Sequence, residues 1–166
     1  MKKLQSIFIA IIFFLALGST KVIAQSSKQQ KQNQKEEKIN ELINSQHYTF
    51  IPQTVLPSGG STKTLTSDYE LKIKNDTLTS YLPYFGRAYT ASINSTENPL
   101  DFKTTDFTYN ITDHKNGGWD VLIKTKNSGD PRQLTLSVSK DGYASLQIIS
   151  NNREPISFNG YIQYIF

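Results

Sequence analysis

Cysteine is missing from the chain altogether, and histidine occurs only twice. Without thiols there are no disulfide staples, no cysteine nucleophile and no lipid anchor on an N-terminal cysteine, so stability must come from a packed core. The two histidines, His47 and His114, stand beside no G-x-S-x-G motif, and a nucleophilic triad has nothing to start from. Asp113-His114 is a single adjacent pair with no third ligand at metal spacing. Gly59-Gly60 lacks the lysine of a phosphate loop. No catalytic residue, cofactor or metal is therefore implied.

Net charge is also scarce. The chain carries 18 Lys+Arg against 14 Asp+Glu, but Lys2, Lys3 and Lys21 lie in its opening segment. Residues 48–166 hold eleven basic and eleven acidic side chains. The electrostatic footprint of a nucleic-acid partner is missing.

Long apolar runs are confined to one place. MKKLQSIFIAIIFFLALGSTKVIAQ has a basic start, an apolar stretch from Ile7 to Leu17, and Val22-Ile23-Ala24. This is the pattern of a secretory signal, residues 1–24, cleaved after Ala24. The apolar stretch is shorter than the ~20 residues a bilayer span needs. The mature chain is expected to be exported to the periplasm or cell exterior, without a transmembrane segment.

What is present divides cleanly. QSSKQQKQNQK, residues 25–35, is polar and of low complexity, and reads as a disordered tether. EEKINELINSQH, residues 36–47, spaces Ile39, Leu42 and Ile43 as one face of a short helix. From Tyr48 to Phe166 the apolar period becomes two, the mark of a single β-rich domain.

The strand pairings follow from burial. YELKIK, a turn at Asn75-Asp76, and TLTSYL form a hairpin if Lys74 meets Thr77, which sets Ile73 on Leu78 and Leu71 on Ser80. Around Lys140-Asp141-Gly142, a two-residue loop would put Leu134, Leu136 and Val138 on the wrong face. A three-residue loop with a left-handed Gly142 pairs Ser139 with Tyr143, Leu136 with Leu146 and Leu134 with Ile148. A loop at Asn127-Ser128-Gly129-Asp130 sets Trp119, Val121 and Ile123 against Val138, Leu136 and Leu134. Phe107, Tyr109 and Ile111 offer a matching face. Ile156, Phe158, Ile162, Tyr164 and Phe166 alternate inward in the last segment, after Pro155. The expected fold is a mainly β antiparallel meander of roughly eight to ten strands, closing as a sandwich or small barrel.

YLPYFGRAYT, residues 81–90, concentrates rings around one arginine. The first hairpin turns Leu82 inward and Tyr81 outward, beside Glu70. If alternation survives Pro83, then Phe85, Arg87 and Tyr89 share that outer face, but Pro83 and Gly86 favour a bend. Outward rings with an arginine make a stacking and hydrogen-bonding platform. The alternative is that the helix or a loop covers them. Asn151-Asn152-Arg153-Glu154-Pro155 is the other dense polar stretch, and Arg153 would extend the patch or tie a turn.

LTSDYELKI, YLPYFGRAYTA and GYASLQIISNNREPISFNGYI together resemble an exported Bacteroidetes family catalogued as domain of unknown function 4251, over about residues 38–163. The resemblance implies export and one β-rich domain. It assigns no chemistry and carries over no catalytic residue. Asp76-Thr77-Leu78 resembles the short acceptor of Bacteroidetes protein O-glycosylation, which marks Thr77 as a modification site.

The reading that results is a non-enzymatic exported module binding a small molecule, glycan or protein through Tyr81, Phe85, Arg87, Tyr89 and Arg153. One rival is a small outer-membrane barrel, suggested by the aromatic ending IQYIF. Its outer positions, such as Glu70, Lys72 and Lys74, do not suit lipid. Another rival is an enzyme in which Asp101, Asp106, Asp113 and Asp120 converge. For the exported protein, N-terminal mass spectrometry should find Gln25 first; an intact Met1–Ala24 on most molecules would contradict the leader assignment.

Overall fold

The alternation that begins at Tyr48 is set out in space as strand after strand. The computed structural model describes residues 20–89, 98–115, 117–126 and 131–165. The apolar stretch Ile7–Leu17, expected to be the core of a leader, the loop at 127–130 and Phe166 lie outside the described residues. Helix α1 spans Thr20–Ser45. The strands are β1 (His47–Pro57), β2 (Lys63–Thr64), β3 (Glu70–Lys74), β4 (Thr77–Tyr81) and β5 (Asp101–Thr104), followed by β6 (Phe107–Asp113), β7 (Trp119–Thr125), β8 (Gln133–Val138), β9 (Tyr143–Ile149) and β10 (Ile156–Tyr164).

Residues 38–166 carry all ten strands in one nearly closed, barrel-like antiparallel sheet. Its order is β5-β4-β3-β1-β10-β9-β8-β7-β6, with β2 added to β1. The registers expected from burial are present. Leu71 faces Ser80 and Ile73 faces Leu78. Leu134 faces Ile148 and Leu136 faces Leu146, Trp119 faces Val138, and Tyr109 faces Ile123. Gly142 closes the β8–β9 loop at φ +81°, with its N–H donating to the Ser139 carbonyl at 2.9 Å. A side chain there would be strained by that φ and would also meet Ile39.

Inward positions make the core: Phe50, Leu71, Ile73, Leu78, Val121, Ile123, Leu134, Leu136, Leu146 and Phe158 are all buried. Each such side chain contributes on the order of 1.5–3 kcal/mol by leaving water. β1 needs one adjustment. Its inward residues are Tyr48, Phe50 and Pro52 before the irregularity at Gln53, but Val55 and Pro57 after it. One extra residue flips the parity and bends the strand. The bulged Gln53 carbonyl is not wasted, since it accepts the Leu65 N–H at 2.9 Å.

Three details depart from the sequence reading. The helix is longer than residues 36–47: it includes residues 25–35, expected to be disordered, and ends at Ser45, with His47 already in β1. Low hydrophobicity argues against core burial, but Gln, Lys and Glu are straight-chain helix formers and lose little freedom in a helix. Gln46 ends the helix in the left-handed region, φ 52°. Tyr164, expected inward, is exposed at the end of β10, its ring tilted 44° against that of His47 with centroids 5.5 Å apart.

The last turns of α1 add Ile39 and Ile43 to the core. A hydroxyl relay fixes them. Tyr109 donates to the Ile43 carbonyl at 3.0 Å, one of the helix-end acceptors that lack a partner within a helix. Its single proton thus committed, Tyr109 accepts from Tyr48, 3.0 Å away. Burial, and then the neighbouring Tyr109, push the Tyr48 phenol well above its usual range, and burial pushes Tyr109 up to about 12. Unfolded phenols ionise near 10. Folding therefore retains these protons while the unfolded chain loses them, so the stabilisation present below pH ~10 is lost as pH rises toward ~12. Wild type should lose stability across that window more steeply than a Tyr48→Phe/Tyr109→Phe double variant, by up to about 1.4 kcal/mol per pH unit per phenol. Denaturant melts at stepped pH measure this, and parallel curves would contradict it.

Candidate functional site

The turn after β4 sets the site. Leu82 and Pro83 are consecutive buried residues, so the strand alternation stops there and the chain leaves the sheet. Proline cannot donate to a ladder, which makes it a natural end point. Tyr81, the last residue of β4, keeps the outward direction of its register and is 47% exposed. Across the outer face it stands between Glu70 of β3 and Asp101 of β5. Its ring lies 5.4 Å from that of Tyr69.

The chain then folds back onto the segment before β10. Ala88 and Arg153 form an antiparallel bridge. The Glu154 N–H donates to the Arg87 carbonyl at 3.0 Å and the Tyr89 N–H to the Asn152 carbonyl at 2.8 Å. The Glu154 carboxylate accepts the Arg87 N–H at 3.2 Å. Tyr84 locks the turn: its hydroxyl reaches the carbonyls of Arg87 at 3.1 Å and Glu154 at 3.0 Å. The ring of Tyr84 lies so close over Gly86 that any β-carbon there would collide with it. The Arg153 guanidinium sits over the other part of this arrangement, 5.4 Å from the Tyr84 ring centroid.

Residues 98–100 complete the wall. Asn98 donates through its amide to the Leu82 carbonyl at 2.6 Å and accepts the Leu100 N–H at 3.1 Å. The buried Ser80 hydroxyl donates to the Leu100 carbonyl at 2.7 Å. The result is an open cleft of about 520 Å³ lined by Tyr69, Tyr81, Pro83, Tyr84, Asn98, Pro99, Asp101 and Arg153.

Of the side chains singled out from the sequence, Tyr81 and Arg153 meet in this cleft. Phe85, Arg87 and Tyr89 are not among its lining residues. Phe85 is 43% exposed and lies beneath the Lys63 ammonium, 4.5 Å from its ring centroid. Arg87 serves through its backbone, and Tyr89 is 66% exposed. The shared outer face required alternation past Pro83, and alternation ends there. Tyr84 and Tyr69 escaped the sequence reading as site residues, and Asp101 entered it only among the aspartates of the enzyme alternative. The Pro83-Tyr84-Phe85-Gly86 spacing hinted at a ring folded over a glycine; the other two depend on tertiary placement.

Elsewhere, Thr77 begins β4 at the Asn75-Asp76 turn, its hydroxyl 3.2 Å from the Asp76 carboxylate. The four aspartates have separate surroundings. Asp101 lines the cleft, Asp106 pairs with Lys126 at 3.3 Å, and Asp113 ends β6 opposite Trp119. Asp120 accepts from Ser137 at 2.6 Å and contacts the His114 ring at 2.8 Å. The serine bond, with a smaller contribution from His114, holds the Asp120 carboxyl below its usual range against the opposing effect of burial. In that cluster the carboxylate lies between serine and imidazole, so the hydroxyl contacts the carboxylate rather than the imidazole. Among the described residues no group of three or more His, Cys, Asp or Glu is placed to hold a metal. A second concavity of about 440 Å³ is lined by Lys38, Glu41, Leu42, Ser45, His47, Asn75 and Tyr164.

Fold and cleft define an antiparallel, barrel-like domain with an aromatic-lined surface cleft. The chain belongs to the family described as Domain of unknown function (DUF4251), whose profile matches residues 30–162. A solved structure of a DUF4251 family protein from Bacteroides eggerthii is similar at TM-score 0.55 and 14% identity, covering 78% of this chain and 87% of that one. At that identity the likeness concerns the fold. No curated protein matches the chain.

Proposed function

We propose that the protein is an exported, non-enzymatic binding module whose ligand seats in the Tyr81 cleft. The observation that carries this reading is the bridge between Ala88 and Arg153, which sets Arg153 beside the Tyr81–Asp101 pair of the sheet, with Tyr69 and Tyr84, around one open cleft. Tyr81 contributes a large ring there rather than to the core. Rings and arginines of this kind dominate binding energy once a partner desolvates them.

Export rests on the leader pattern of residues 1–24. Among the described residues no helix is long and apolar enough to cross a membrane. A membrane barrel is disfavoured by its own physics: lipid-spanning barrels are apolar outside and polar within. Here Phe50, Leu71, Leu136 and Phe158 fill the inside, while Glu70, Lys72, Thr135 and Ser137 point out. A non-enzymatic role is supported by the separate surroundings of the four aspartates.

Tyr81→Ala, at an exposed position, should shift folding stability by about 1 kcal/mol or less, and Arg153→Ala, at a half-buried one, by no more than about 2 kcal/mol. Thermal melts decide this, and losses of ~3–5 kcal/mol would mark the cleft as core. In a thermal-shift screen of metabolites, oligosaccharides and peptides, stabilisation by a hit should vanish in both variants and survive in Arg87→Ala. A hit indifferent to both cleft variants would overturn the assignment.

A further inference from the structure

The two edges of the sheet are built differently. β5 and β6 end the strand order, and no ladder joins them among the described residues. β5 is guarded: it has four residues, carries Asp101 and Lys103, and follows Pro99 closely. Short length, charge and proline are what discourage an edge from pairing with another chain. β6 has seven residues, FTYNITD, with no lysine or proline, and its register with β7 runs from Phe107 to Asp113 without a bulge. Its inward side chains are also short of cover. Trp119, Val121 and Ile123 of β7 are buried, whereas Phe107, Tyr109 and Ile111 beside them are half-buried.

Backbone parity shows which groups this edge presents. The Lys126 N–H donates to the Asp106 carbonyl and the His114 N–H to the Gly118 carbonyl, both at 3.0 Å. Even-numbered residues thus turn their N–H and C=O toward β7, and antiparallel alternation turns those of Phe107, Tyr109, Ile111 and Asp113 toward the open edge. The side chains are symmetric in kind about Asn110: Tyr109 and Ile111 are apolar, and Thr108 and Thr112 are identical and exposed. Such symmetry is what an isologous contact requires, since residue i meets residue j and j meets i. A second β6, related by a two-fold axis at Asn110, sets Tyr109 on the partner's Ile111 in a hydrogen-bonded pair and Thr108 on the partner's Thr112. Aromatic–β-branched and Thr–Thr pairs are favourable across strands. Asp106 falls opposite the partner's His114, and no like charges oppose each other. A slip by one residue would set Tyr109 and Ile111 against the outer face. We infer that the protein forms a two-fold dimer by antiparallel pairing of β6 with β6, centred on Asn110. This surface is separate from the proposed ligand cleft, and the inference stands without it.

Sedimentation equilibrium of the full chain, together with cysteine cross-linking, tests it. Self-association should weaken about tenfold or more in Thr108→Lys/Thr112→Lys and in Thr108→Glu/Thr112→Glu, because each double variant opposes like charges across the axis. An equimolar mixture of the two should regain a dimer, which a misfolded variant could not supply. The chain has no cysteine, so a single introduced thiol reports the register alone. Opposed residues that are not hydrogen-bonded lie about 4.5 Å apart at Cα, within disulfide range. Asn110→Cys should therefore oxidise to a covalent dimer, while Thr108→Cys, which faces Thr112 rather than its own copy, should stay largely uncrosslinked. The cysteine pair decides the matter should the charged variants fold poorly. A chain that is monomeric at every concentration overturns the inference. So does a dimer indifferent to both charged variants, and so does equal cross-linking at positions 108 and 110.

Discussion

Strand β1 is the constraint on which the rest of the sheet depends. It pairs with β10 over most of its length, with β3 near its start and with β2 near its end. The hairpin units β3–β5 on one side and the meander β6–β10 on the other share no other strand in the order. Those pairings are long-range, since residues 47–57 must find residues 156–164. Such contacts are reached only after the loop-closure entropy between them has been overcome. The bulge at Gln53 lets one strand serve both ends, with Phe50 inward before it and Val55 inward after it.

The site follows from the same arrangement. β10 lies beside β1, and β3 and β4 lie on β1's other flank, so the segment that enters β10 can reach the segment that leaves β4. The bridge at Ala88 and Arg153 is that meeting point. It consists of backbone bonds, the Glu154 carboxylate and one tyrosine hydroxyl. Residues that hold the cleft together (Tyr84, Glu154, Asn98) are thus mostly distinct from those that face its opening (Tyr69, Tyr81, Asp101). That separation is why single changes at the opening are expected to be tolerated.

Much of the fold was legible from side-chain parity. Leu134, Leu136 and Val138 could be buried with Ile148, Leu146 and Ala144 only in the three-residue register, and Gly142 supplied the conformation it needs. The outward direction of Tyr81 followed from the same logic. Parity ceased to inform at Pro83, where the chain leaves the ladder, and so Phe85 and Arg87 were grouped with Tyr81 while Tyr84 was passed over. It failed again at Tyr164, which ends β10 and is exposed. Polarity along residues 25–35 led to the expectation of a disordered tether, but it carries no information about helix formation. The Tyr48–Tyr109–Ile43 relay joins residues 43, 48 and 109 through tertiary structure, and no local pattern announces it.

Native-state hydrogen exchange followed residue by residue tests the role of β1 most directly, because it separates local openings from global unfolding. The account predicts that the amides of β1 bonded to β10 exchange only through global unfolding and share the highest protection in the protein, while residues 84–89 open at lower free energy. Exchange of the β1 amides ahead of those in β7, β8 and β9 would show that the meander stands without β1, and would contradict the account.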